Sequence, residues 1–190
     1  MATETVPETV PVADDTVESG TVAFGSVPTE LGDVLAAVTA DGLVATAFTD
    51  SPHIRAAIAA RLRLVDADDP ARAAGVLGQL RDYFRGTRRA FDVAVDWQLM
   101  SKPQRRVLGT LYETVPYGKV VTYGELAARS GSGIPPRGIG SIMGSNPIPI
   151  VVPCHRVVAG DGLGGFSGGT GVESKRRLLT LEGYLPPGLW

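Results

Sequence analysis

One cysteine in 190 residues leaves no internal disulfide to brace this fold. A lone thiol fits a reducing compartment, so the expected location is the cytoplasm. Only His53 and His155 accompany it, too few for the usual Cys/His zinc site, and no metal or other cofactor is expected. The chain has no apolar run of about 18 residues, so no membrane span is expected. Its first residues lack the basic-then-apolar pattern of a secretory signal. Residues 1–19, MATETVPETVPVADDTVES, contain no Lys or Arg and repeat the unit ETVP. They bury too little apolar surface to offset their ordering entropy, which predicts a disordered acidic tail.

What is present is 44% hydrophobic, enough for a substantial core. The charge is uneven. Residues 1–96 carry 15 acids against 8 Lys and Arg (net −7), whereas residues 97–190 carry 5 acids against 10 (net +5). A basic half on an acidic protein points toward a polyanionic partner such as nucleic acid.

From Gly20 to Trp97 the pattern predicts a small α/β unit. Two apolar runs flank Asp41-Gly42, a hairpin signal in which both turn positions accept positive φ. Residues 52–64 place Ile54, Ile58 and Leu62 on one helical face. Asp69 and Pro70 suit the cap and first position of a second helix that Gly86 ends. Phe91, Val93, Val95 and Trp97 alternate as in a strand. Nothing in this half carries a catalytic pattern.

After Trp97, Ser101 is a plausible N-cap for a helix with Val107, Leu108, Leu111 and Val115 on one face. Thr122 and Glu125 have capping-box spacing and start a short helix that ends near Ser130. Pro135 or Pro136 opens another, with Ile139, Ile142 and Met143 inward and Arg137, Gly140, Ser141 and Gly144 outward. Two helices joined by a glycine-rich turn suit either an ordinary helical hairpin or a DNA-reading helix-turn-helix. The small outward residues favour the second, because they let a helix approach a phosphate chain closely.

The stretch PCHRVVAGDGLGGFSGG follows the apolar run Ile148 to Val152 and holds Cys154 and His155. A free thiol is mostly protonated at neutral pH, so a nucleophilic cysteine needs a base. On an extended strand neighbouring side chains point oppositely, so His155 need not touch Cys154; it could act through one bridging water or where the strand turns, with Glu182 available to hold the imidazole. Spacing alone leaves a nucleophile and a packed small hydrophobe equally open.

NPIPIVVPCHRVV, then GGFSGG, then Lys175, Leu178-Leu179 and Glu182-Gly183 resemble the O6-alkylguanine-DNA alkyltransferases (methylated-DNA–protein-cysteine methyltransferases). The likeness extends back through VPYGKVVTYGELAARSG and covers roughly residues 105–183, whereas the N-terminal half matches only in outline. The resemblance implies an α+β fold with a ribonuclease-H-like α/β domain at 20–97. A mostly helical domain would follow at 98–190, with a winged-helix-like helix-turn-helix and an active-site loop. It implies direct DNA repair on double-stranded DNA containing alkylated guanine. The alkyl group would pass irreversibly to Cys154, once per molecule, with O4-alkylthymine a second candidate substrate. The protein would act as a monomer, without a membrane, associated with the nucleoid when bound to DNA.

Carried over residue by residue, the resemblance makes Cys154 the acceptor, His155 its base, Glu182 the support of His155, and Asn146 the brace of the active-site turn. Arg137 would fill the gap left by a flipped base, and Tyr123 would crowd the neighbouring phosphate and hydrogen-bond the guanine. Ser167, with the Val157 and Cys154 backbone, would read the base edge. Met143 and Phe166 would wall the pocket, and Lys175 belongs to the substrate-binding set. Phe166 stands where the family commonly has tyrosine, so a hydroxyl is lost there. Pro103 and Leu108 replace usual aromatics, and GGTGVESK is two residues longer than shorter family versions. The alternative from another class is a lesion-binding protein that flags alkylguanine without reacting. Such relatives lack the cysteine, so Cys154 counts against that reading.

Overall fold

The computed structural model describes residues 20–188, so the acidic segment 1–19 lies outside the described residues. The first half forms one sheet from β1 (Thr21–Thr29), β2 (Gly32–Thr39), β3 (Gly42–Ala47) and the short β4 (Val65–Asp66). Their order is β3-β2-β1-β4, antiparallel except where β4 runs parallel to β1. Helix α1 (Pro52–Leu62) begins at Ser51, whose side chain accepts from the Ile54 N–H. Helix α2 (Pro70–Phe84) begins at Asp69, which accepts from the Arg72 N–H, with Pro70 in the first turn.

Both sheet faces are buried, which is why β2 reads as an almost continuous apolar run instead of alternating. On one face Val22, Phe24, Leu35 and Val44 meet Leu62, Ile54 and Ile58 of α1. On the other, Val27, Val34, Ala36 and Val38 meet Ala73, Val76, Leu80 and Tyr83 of α2. That second core runs without a break into the C-terminal half, through Val107, Leu111, Ile139, Ile148 and Val152.

Two expectations shift. The hairpin loop is Ala40-Asp41, one residue earlier than the Asp-Gly signal, because Thr39 pairs with Gly42. Gly42 is the residue with positive φ (132°), and its missing side chain admits the Ala94 carbonyl against β3. The strand over 90–97 does not form. Its only pairing is a single bridge from Val95 to Leu43, held by Leu43 N–H to Ala94 O and Asp96 N–H to Leu43 O, both 2.9 Å. Phe91, Val93, Val95 and Trp97 alternate because they pack on the core, not because a ladder exists.

The second half adds α3 (Lys102–Thr114), capped by a Ser101–Gln104 capping box, and β5 (Val121–Thr122). Helix α4 (Tyr123–Ser130) starts on the expected Thr122–Glu125 capping box and ends at left-handed Gly131. A short turn leads to α5 (Pro136–Gly144), which buries Ile139, Ile142 and Met143 and leaves Arg137 exposed. Strand β6 (Val157–Val158) pairs in parallel with β5, and α6 (Val172–Leu181) closes the fold. Among the described residues, no helix is long and apolar enough to cross a membrane.

Candidate active site

Between α5 and β6 the chain makes a tight turn that Asn146 braces from both ends. Its amide donates to Val152 O at 2.9 Å, and its carbonyl accepts from the Ile148 N–H at 3.0 Å. Inside the turn Ile150 takes φ 76°, a left-handed conformation that a β-branched residue adopts at a cost of roughly 1–3 kcal/mol. The first half clamps this strained segment. Thr46 of β3 donates its N–H to Pro147 O at 2.9 Å and its hydroxyl to Pro149 O at 2.6 Å.

Cys154 emerges from this turn on a single 3-10 turn, Cys154–Arg156, not on the strand that its apolar approach suggests. Positive φ at Ile150 and two prolines break the extended run before the thiol. Cys154, His155 and Arg156 are all buried. The thiol opens on a cavity of about 280 Å³ that Asn146, Met143, Phe166 and Ser167 also line. Phe48, Thr49 and Ile54 of the first half complete its wall. Burial pushes the Cys154 thiol above its ordinary pKa, and the Asn146 side chain and the nearby Lys175 charge partly offset this.

Behind the cavity lies a buried charge cluster. His155 Nε2 donates to Glu182 Oε1 at 2.8 Å, and Nδ1 has no protein partner. Glu182, the C-cap residue of α6, also accepts from Arg156 through Nε to Oε2 and Nη2 to Oε1, each at 2.9 Å. The Gly118 N–H adds a bond to Oε2 at 3.1 Å and the Tyr83 hydroxyl one to Oε1 at 2.7 Å. Gly118 sits at φ 73°, and a side chain there would press on the Glu182 carbonyl. Burial alone would raise the Glu182 pKa, but the bonds from His155 and the Arg156 guanidinium outweigh it and hold the carboxyl far below its usual range. For His155, burial lowers the pKa and the Glu182 contact only partly restores it, so the imidazole is neutral at neutral pH.

Of the residues singled out in the sequence, Cys154, Asn146, Met143, Phe166 and Ser167 share the cavity wall, while His155 and Glu182 form the pair behind it. Tyr123, the first residue of α4, packs its ring near Gly164, and burial first, then the nearness of Cys154, raises its hydroxyl above the ordinary pKa. Ser167 Oγ donates to Gly144 O at 3.2 Å. Lys175 is fully buried, its ammonium on Val157 O at 2.6 Å and Gly165 O at 3.1 Å, and burial lowers its pKa to about 8. The Val157 carbonyl is thus engaged from inside the protein, and the Cys154 N–H bonds to Val152 O. Arg137 stands apart on the exposed start of α5.

Tyr83 and Phe48 carried no sequence signal of their own and reach the site only through tertiary packing, whereas Gly118 lies in the VPYGKVV stretch of the resemblance without a role assigned to it there. Arg156 was not singled out in the sequence either, and its place in the cluster is given by its two bonds to Glu182. Among the described residues, no cluster of three or more His, Cys, Asp or Glu side chains could hold a metal ion.

The model of the 6-O-methylguanine DNA methyltransferase DNA-binding domain matches residues 102–184. A methylated-DNA–protein-cysteine methyltransferase of Methanopyrus kandleri is 51% identical over 108 residues, covering 56% of this chain and 78% of that one. The enzyme of the same name from Mycolicibacterium paratuberculosis is 43% identical over 60% of this chain and 68% of its own. The crystal structure of Mycobacterium tuberculosis OGT in complex with DNA superposes with a TM-score of 0.70 at 33% identity, over 87% of this chain and 96% of that one. With a buried cysteine beside a His–Glu–Arg cluster and these relatives, the chain belongs to the methylated-DNA–protein-cysteine methyltransferases, DNA-repair enzymes with a DNA-binding domain.

Proposed function

We propose that the protein repairs O6-alkylguanine in double-stranded DNA by moving the alkyl group irreversibly to Cys154 Sγ, once per molecule. The observation that carries this is the placement of the one thiol at a cavity with His155 bonded to Glu182 behind it. Nε2 is committed to Glu182, so the unpartnered Nδ1 is the atom that takes the Cys154 proton, through one bridging water. The thiolate attacks the alkyl carbon in line, the carbon–O6 bond breaks, and its electron pair goes to the guanine. The proton taken from the thiol is returned to the base, which leaves neutral. A thioether forms, with no route back to thiol.

An alkyl group on O6 lies inside the base stack, so the nucleotide is extruded first, at a cost of a few kcal/mol. In this reading α4 and α5 form the DNA-reading pair, winged by β5 and β6, and Arg137 takes the place of the flipped base. Ser167 and the second lone pairs of the Val157 and Cys154 carbonyls meet the guanine edge. Residues 20–97 form the ribonuclease-H-like domain and 98–190 the reacting one. The protein works as a monomer.

The test is to mix the protein with a duplex containing O6-methylguanine and map the product by mass spectrometry. One methyl group on the Cys154 peptide, at a stoichiometric endpoint, is the expected result. Tight binding without an adduct would replace this reading with lesion flagging.

A further inference from the structure

Glu182 Oε1 accepts three hydrogen bonds, two from the second half of the chain, His155 Nε2 at 2.8 Å and Arg156 Nη2 at 2.9 Å, and one from the first half, the Tyr83 hydroxyl at 2.7 Å. Tyr83 lies in the last turn of α2, fully buried, and is the residue through which the sheet-and-helix half hydrogen-bonds to the charge cluster. Its ring is held by Phe84 and Phe91, each 5.3 Å away between centroids, and by Tyr117 at 6.1 Å. We infer that Tyr83 is a positioning residue for alkyl transfer. By sharing Oε1 with His155, its O–H sets how strongly Glu182 holds the imidazole proton, and so how readily His155 accepts the proton of Cys154.

The inference rests on the proposed alkyl transfer, but its physical core does not. A carboxylate oxygen becomes a weaker acceptor with each further hydrogen bond it takes, so the Tyr83 O–H lowers what Oε1 offers His155 beyond the fixed Arg156 bond. Burial keeps the Tyr83 phenol protonated far above the ordinary range, so it donates at every working pH. The other groups facing this carboxylate are fixed: Arg156 on the 3-10 turn, the Gly118 N–H, and Tyr117, whose hydroxyl bonds Leu181 O at 2.8 Å with Arg89 over its ring. Lys175, further back on α6, adds a positive charge toward His155. Tyr83 is thus the neutral donor whose hydroxyl can be deleted without removing a charge.

Removing that donor makes Oε1 more basic and favours the imidazolium. Tyr83→Phe should therefore move the His155 titration, and the acid limb of the single-turnover rate, upward by about half to one pH unit. The chain has only two histidines, so the His155 ring resonances are assignable by NMR without any substrate. A merely structural role would slow the reaction equally at all pH values and leave both midpoints in place, and that result overturns the inference. If Tyr83→Phe does not fold, 3-fluorotyrosine at position 83 keeps the shape and strengthens the donor. Both midpoints should then move down, and unchanged midpoints again reject the idea. If the wild-type protein transfers no alkyl group, the proposed function fails while the NMR titration still decides the role of Tyr83.

Discussion

Phe48 and Phe166 meet edge to face, with ring centroids 6.0 Å apart and planes at 81°. The contact joins the residue after β3 to the loop after β6, so both halves of the chain build one wall of the Cys154 cavity. In the proposed alkyl transfer Phe166 would supply a stacking surface with no hydroxyl to donate to a leaving base. Phe166→Tyr should change the single-turnover rate, or the ratio of methyl to benzyl transfer, by about two- to tenfold, the range of one net hydrogen bond. Identical rates for both substrates would show that the hydroxyl has no part in the chemistry.

Glu182 is the common partner of three side chains, and neutralising it strands the buried Arg156 guanidinium. Glu182→Gln should destabilise the fold by about 3–5 kcal/mol at pH 7, measured by chemical denaturation. The folded-state carboxyl pKa is depressed, so the Glu182 contribution is complete above the unfolded value and fades as pH falls toward the folded one. The gap between wild type and variant should therefore begin to close below about pH 4.3. A gap that widened there would contradict an ionised Glu182.

Lys175 is a cation near Cys154 only while it holds its third proton, and its pKa lies at about 8. Labelling of Cys154 by a small haloacetamide should stop gaining from rising pH near that value, as the ammonium becomes an amine. Lys175→Met should label about tenfold more slowly at pH 7, the equivalent of one pKa unit on the thiol, without a break near pH 8. A variant that kept the break would assign it to another group.

Arg137 is exposed at the start of α5, and in the proposed function it takes the place of the flipped base. Arg137→Ala should slow repair of a duplex by about tenfold to a hundredfold, a share of the cost of extruding the base. Reaction with free O6-benzylguanine should be unchanged, because nothing need be extruded. The +5 charge of residues 97–190 further predicts that duplex affinity falls as salt rises, and salt-independent binding would place the DNA elsewhere.

Much of the second half was legible because its signals are local. Capping residues at Ser101 and Thr122 state where helices begin, and the apolar faces of α3 and α5 follow from spacing. The pairing of His155 with Glu182 was also foreseen, through the resemblance of the motifs around both. What the sequence hid is long-range or conformational. The alternation at 91–97 records packing without a ladder, and the apolar run before Cys154 conceals the left-handed Ile150. Tyr83 and Phe48 sit in segments whose own pattern serves a helix and a strand end, so their second partners appear only once the two halves meet.

The two bonds from Thr46 to Pro147 and Pro149 give the active-site turn a fixed address on the sheet. A group mounted on such a turn is tied to that framework, and displacing it would first break both of these bonds. Under the proposed function, the mechanical work would then fall to the nucleic acid: the protein would be the anvil, and the strand would bend and open to bring its damaged base to the thiol.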